Sequence, residues 1–241
     1  IKLLDGFQLI VNNTKLRKSE QFTTYPLANQ FKYQLSDGYQ ITRTDFVPDS
    51  LPVLVVEYRI KNTANKPGQL DLSFIVNSDL SPVWLGEQSG MTDSRDTLIG
   101  ITPTNTLIIK DNLNEWYTGI TSNIDNLSLN SQHNSPFKGL GIEAELTLPQ
   151  ITLGANEVKN ICFYISGSMK NATELKENLH VAKDHLEELF AQKKERYDEI
   201  DRIAAITIPD SRLMEAYRWG KYNNDWLVRD VPGLGRGMSA G

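Results

Sequence analysis

Leu140-Gly141-Ile142-Glu143-Ala144-Glu145-Leu146-Thr147-Leu148 alternates apolar and polar residues more cleanly than any other stretch of the chain. Successive strand side chains point to opposite faces, so the period of 2 turns Leu140, Ile142, Ala144, Leu146 and Leu148 inward and Glu143, Glu145 and Thr147 outward. The same period holds upstream. Phe31-Lys32-Tyr33-Gln34-Leu35 alternates, Ser36-Asp37-Gly38 interrupts, and Tyr39-Gln40-Ile41-Thr42 alternates again. A two-residue Asp-Gly loop would pair Leu35 with Gln40 and mix apolar with polar on one face. A three-residue Ser-Asp-Gly loop pairs Leu35 with Tyr39 and Tyr33 with Ile41, with Gly38 at the left-handed bulge position, and is preferred.

Further strands are expected over 53–60, 70–76, 98–101, 107–109, 115–120 and 158–165. In 53–60, Leu54, Val56, Tyr58 and Ile60 share one face. The other face starts with Val53 and Val55 and turns polar at Glu57 and Arg59, which predicts a strand covered on both sides at its start. About ten short strands with no helix up to residue 167 read as a mainly β chain built on a large antiparallel sandwich.

At Asn171 the period changes. Asn171-Ala172-Thr173-Glu174 has the form of a capping box, in which Glu174 would reach back to the Asn171 backbone. Leu175, Leu179, Ala182, Leu186, Leu189, Tyr197, Ile200 and Ile203 then keep a helical stripe to Ile206. A single helix of that length would run roughly 50 Å and act as a connector. Pro209-Asp210-Ser211 ends it and caps a helix over 212–229 that carries Tyr217, Trp219, Tyr222 and Trp226.

The 241 residues are 39% hydrophobic and 23% charged, with a mean hydropathy of −0.38, which fits a chain with a packed core and excludes disorder and collagen. No apolar run approaches the roughly 20 residues of a membrane helix. The net charge of −5, with basic residues scattered among acidic ones, lacks the footprint of a nucleic-acid binder. Cys162, the single cysteine, excludes an internal disulfide framework and a multi-Cys zinc site, and leaves the compartment open. The chain starts at Ile1 and stops at Gly241 inside a glycine-rich stretch, so both ends are read as cut.

Gly235-Arg236-Gly237-Met238-Ser239-Ala240 matches the dinucleotide pattern G-x-G-x-x-A, but a helix is expected before it where that chemistry needs a strand, and the nucleotide reading is rejected. His180 and His185, five apart, diverge by roughly 140° on a helix and are expected on the surface, not on a shared metal. His133 is expected exposed in a polar loop, and Cys162 buried in a strand. Asn12, Asn126 and Asn171 open glycosylation sequons, and a helix cap already explains Asn171. The loop 78–95 groups Trp84 with Glu87, Gln88 and Asp93, an aromatic among polar groups of the kind that stacks on sugars. On these residues alone the favoured role for Trp84 is to plug a sandwich edge. Asp45, Asp49, Asp79, Asp225 and Asp230 supply carboxylates, but glycoside hydrolysis needs two across the scissile bond at roughly 5–10 Å, which spacing in sequence does not give.

Ala216-Tyr217-Arg218-Trp219-Gly220-Lys221-Tyr222-Asn223-Asn224-Asp225-Trp226-Leu227-Val228-Arg229-Asp230, then Val231-Pro232-Gly233-Leu234-Gly235-Arg236-Gly237-Met238-Ser239-Ala240-Gly241, resembles the opening of the catalytic barrel in bacterial and archaeal glycogen-debranching (amylo-α-1,6-glucosidase-like) glycoside hydrolases. Thr44-Asp45-Phe46-Val47-Pro48-Asp49, then Leu51-Pro52-Val53-Leu54-Val55, looks like their N-terminal domain. The resemblance implies an N-terminal β-supersandwich over 1–170, a linker helix over 171–208, and the first helix of a truncated (α/α)6 toroid over 209–241. In such enzymes the acid and base come from later barrel loops, so no catalytic residue, metal or cofactor is expected here. The expected partners are the missing C-terminal catalytic domain and, through it, an oligosaccharide or polysaccharide. Arg236, in the loop after the first barrel helix, and Trp84, on a sandwich loop, are the candidate substrate-contacting residues. The rival reading is a free-standing carbohydrate-binding sandwich. The aromatic helix discriminates: an exposed aromatic face fits a missing barrel, and intramolecular docking fits the rival.

Overall fold

A computed structural model of the chain describes residues 1–231, 233 and 235–238. The strands in chain order are β1 (Lys2–Val11), β2 (Thr14–Lys15), β3 (Gln21–Thr24), β4 (Asn29–Gln34), β5 (Tyr39–Phe46), β6 (Val53–Asn62), β7 (Gly68–Leu70) and β8 (Leu72–Ser81). They continue as β9 (Asp96–Ile101), β10 (Leu107–Asp111), β11 (Tyr117–Ser122), β12 (Ser128–Asn134), β13 (Ile142–Thr147), β14 (Ile151–Leu153) and β15 (Val158–Ser168). Helices α1 (Ala172–Asp184), α2 (Leu186–Arg202) and α3 (Ser211–Leu227) follow, then strands β16 (Val228–Val231) and β17 (Gly235–Met238). The protein is mainly β, as its periodicity predicts.

Two antiparallel sheets form the body, one in the order β12-β13-β8-β1-β2 and one in the order β3-β4-β5-β6-β15-β11-β10-β9. Their facing sides share one core. Leu9, Phe74, Val76, Ala144 and Leu146 from the first sheet meet Ile41, Tyr58, Ile60, Ile109 and Phe163 from the second. Phe74 and Phe163 stack across it with ring centroids 3.8 Å apart. The 31–42 hairpin has the expected register, Tyr33 opposite Ile41 and Leu35 N donating to Tyr39 O at 2.9 Å, with Gly38 at φ +89°.

The strand β6 is covered on both sides, as its start predicts. Val56, Tyr58 and Ile60 enter the inter-sheet core, while Val53 and Val55 join a second core on the outer face of the larger sheet, with Cys162, Tyr164, Leu175, Leu179 and Ala182. Helix α1 therefore lies on the sheet. Each leucine buried there contributes roughly 1.5–3 kcal/mol.

Several expectations are corrected. The single 50 Å helix is two helices broken at His185, whose φ of −117° and ψ of 26° leave the helical region. The break lets α1 follow the sheet while α2 reaches the end of β5, where Phe190 meets Phe46 edge-on at 5.0 Å. Asn171 caps α1 by accepting from Glu174 N at 2.8 Å, but Glu174 reaches Ser168 Oγ and Lys170 Nζ, not the Asn171 backbone. Leu140 precedes β13 and is exposed, as is Ile203 beyond α2. His133 is exposed on the strand β12, not in a loop. Asp210 caps α3 through Arg212 N at 2.8 Å and Leu213 N at 3.2 Å, and α3 ends at Leu227 because the chain turns into the β16–β17 hairpin.

The helix α3 docks on α2. Trp226 Nε1 donates to the Tyr197 hydroxyl at 2.6 Å, the Tyr197 and Tyr222 rings meet edge-on at 5.5 Å, and Asp201 takes Arg218 and the Tyr222 hydroxyl. Of Tyr217, Trp219, Tyr222 and Trp226 on α3, only Tyr222 is buried, and Leu213 and Leu227 remain exposed. The helix therefore combines intramolecular docking with an uncovered face.

Candidate functional site

The segment 82–95 joins β8 to β9 at one end of the sandwich. Trp84 sits near its start, 86% exposed and at φ +60°, a conformation that costs a bulky residue about 1 kcal/mol or more. Exposed Val83 and Leu85 flank it. The turn is held by its own backbone, Gly86 N to Val83 O at 3.0 Å and Met91 N to Gly86 O at 3.0 Å, with Ser89 Oγ donating to Gly86 O at 2.8 Å. Trp84 is therefore presented to solvent and does not plug an edge. Glu87 and Gln88 are exposed beside it.

Beneath the loop lies a group of carboxylates. Asp96, 2% exposed, accepts from Ser78 Oγ at 2.6 Å and Leu80 N at 3.1 Å through Oδ2, while its Oδ1 has no partner. Ser78 Oγ in turn accepts from Ile142 N at 3.0 Å, tying β8, β9 and β13 together. The approach is close: a Cβ on Gly141 would lie 1.7 Å from Ser78 O. Burial, with Asp111 and Asp79 adding repulsion, pushes the Asp96 carboxyl up to about 6. Burial also raises Asp93, helped by Asp79, and its Oδ1 is likewise unpartnered. Asp111 is saturated by Leu113 N, Asn114 N and Ser94 N. Asp79 is paired with Lys2 Nζ at 2.7 Å. Among the described residues no three His, Cys, Asp or Glu side chains assemble as a metal site.

The carboxylates singled out from sequence are mostly structural. Asp45 pairs with Arg43, Asp49 with Lys193 and Arg196, and Asp225 with Arg196. Asp96, Asp111 and Ser78 carry no sequence signal beyond being polar residues at strand ends. Arg236 lies on β17, opposite Asp230 of β16, and is exposed on a strand and not in a loop. No hydrogen bond, ion pair or ring contact among the described residues links it to Trp84. The nucleotide-like stretch is likewise a strand over Gly235–Met238, and its Ser239 and Ala240 lie outside the described residues. His180 and His185 face solvent beside Asp184 and Glu188. Cys162 is buried, and burial pushes its thiol up to about 12, which leaves it no nucleophile.

Compared with known proteins, the chain matches no protein-family model and no curated protein sequence. Solved structures share its fold. A protein described as a kojibiose phosphorylase from the human microbiome superposes with a TM-score of 0.60 over 95% of this chain at 12% identity. A bacterial glucoamylase complexed with acarbose does so with a TM-score of 0.53 over 81% of this chain at 13% identity. The fold of this chain is that of a region within each of these two proteins. The chain spans about a third of either protein, 32% in both cases. No helix among the described residues is long and apolar enough to cross a membrane.

Proposed function

We propose that this chain is the N-terminal, non-catalytic region of a glycoside hydrolase acting on α-glucans or related α-linked oligosaccharides, with residues 1–170 as sandwich, 171–208 as linker and 209–241 opening an (α/α)6 barrel. The observation that carries the reading is the superposition over 95% of the chain on about a third of a sugar-processing enzyme. The barrel-like stretch 216–241 supports the glycogen-debranching assignment within that class. On this reading the sandwich braces the barrel and lends its cleft a wall, with Trp84 and Arg236 as substrate-contacting residues. The exposure of Trp84 on a turn that holds it at φ +60° supports a binding role.

Kinetics on a protein extended past residue 241 test the reading. Trp84→Ala or Arg236→Ala is expected to lower kcat/KM on malto- or isomalto-oligosaccharides about tenfold, and unchanged kinetics for both would remove the cleft role. A second reading, a free-standing carbohydrate-binding sandwich, draws on the docking of Trp226 and Tyr222 onto Tyr197. Sugar binding by this chain, with no hydrolysis by the longer protein, would favour it.

A further inference from the structure

We propose that the groove between α1 and the loops 102–106 and 121–127 is a second carbohydrate site, taking a neutral α-glucan chain. The choice of sugar rests on the function proposed above. The groove, of about 810 Å³, lies at the other end of the sandwich from Trp84. Strands β9 and β10 fix that separation: Asp96 faces Asp111 at the Trp84 end, and Ile101 faces Leu107 at the groove end. Five strand steps between Asp96 and Ile101 span roughly 17 Å.

The rim is preorganised. Asn105, at φ +62°, donates through Nδ2 to Ile124 O at 2.8 Å and accepts from Leu127 N at 2.8 Å, and Thr121 Oγ1 donates to Asn105 O at 3.0 Å. A rim already ordered by the protein adds little ordering cost on binding. Ile101, half-buried, gives the groove an apolar surface for sugar C–H faces.

Its walls hold unused polar groups. Asn126, Lys176 and Glu177 line the groove, and none of the three makes a side-chain hydrogen bond or ion pair among the described residues. An amide, an ammonium and a carboxylate together offer donors and acceptors that match vicinal hydroxyls. Charge selects against ions. Lys176 and Lys183 alternate with Asp125, Glu177 and Asp184, and Lys183 stands 3.6 Å from Asp125. A cationic or anionic ligand would meet like charge, whereas a polyhydroxylated neutral chain would not.

The test is calorimetric titration of maltoheptaose, with cellohexaose as control, into this chain. The wild-type chain is expected to bind maltoheptaose, Asn126→Ala/Glu177→Ala to bind at least tenfold more weakly, and Glu20→Ala, exposed and outside both proposed sites, to bind as wild type. Unchanged melting curves for the groove variant would exclude misfolding as the cause of weaker binding, and Lys176→Ala alone should weaken binding too. Binding lost in Trp84→Ala and kept in the groove variants would overturn the proposal, as would no binding at all. A longer protein that cleaves α-glucans while this chain binds none sinks the groove alone. Cellohexaose bound in place of maltoheptaose sinks the sugar assignment, and hydrolysis by the longer protein then judges the functional reading separately.

Discussion

Arg196 Nη1 stands 2.9 Å from Asp49 Oδ2, which joins α2 to the loop between β5 and β6. The other guanidinium nitrogen holds Asp225 on α3, and Lys193 Nζ adds a second cation 2.9 Å from Asp49. Burial alone would raise the Asp49 carboxyl, but the hydrogen bonds from Lys193 and Arg196 hold it below its ordinary value. One side chain thus fastens both C-terminal helices to the sandwich. The Arg196 and Asp49 side chains are 40% and 34% exposed, so solvent screening limits their pairing to about 1 kcal/mol or less. Arg196→Met is expected to lower the melting temperature only slightly while speeding amide hydrogen exchange across 211–227. Unchanged exchange there would show that the aromatic contacts and the Asp201 pairings hold α3 without Arg196.

Leu175 is fully buried between α1 and the larger sheet. Leu175→Ala is expected to destabilise the chain by about 2–5 kcal/mol in urea unfolding, in one cooperative transition. A separate early transition of the helices, with the sheets intact, would mean that α1 is an appendage.

Asp96 sets a pH dependence. Its folded-state value of about 6 lies above the ordinary carboxylate value of about 3.9 in an unfolded chain. The native state therefore binds more protons than the unfolded one between those values, so this contribution is fully present below about pH 4 and lost as pH rises through 6. Asp96→Asn keeps the shape without the charge. It is expected to be more stable than wild type at pH 7, by on the order of 1–3 kcal/mol, with the gap closing toward pH 4. A gap that does not vary with pH would count against this assignment.

Trp84 is exposed, so Trp84→Ala should leave stability within about 0.5 kcal/mol. Trp84→Gly should be the more stable of the two by about 1 kcal/mol, because glycine accepts φ +60° without strain. Equal melting temperatures for the two variants would show that the turn relaxes without the side chain.

The sheets were legible where one face is apolar. Ile142, Ala144 and Leu146, and the pairing of Tyr33 with Ile41, follow from alternation and turn chemistry alone. The strand β12 was not, because Ser128-Leu129-Asn130-Ser131-Gln132-His133-Asn134 lies exposed at a sheet edge and owes its place to backbone bonds with β13. The break at His185 was hidden too, since Leu175, Leu179 and Ala182 of α1 and Leu186 and Leu189 of α2 keep helical spacing across it. For the candidate site, the loop carrying Trp84 could be named from its residues, but not the exposure of Trp84, which they favoured as an edge plug, nor the orphaned Asp96 oxygen beneath it. Burial of a carboxylate depends on which strand ends meet, and that is set by sheet order.

The decisive assay is glucose release from maltoheptaose, isomalto-oligosaccharides and glycogen, run on this chain and on the protein extended past residue 241. No release by this chain and release by the longer protein is the expected outcome for a non-catalytic region of a glycoside hydrolase. Cleavage by this chain alone, or none by the longer protein on any α-glucan, would contradict it.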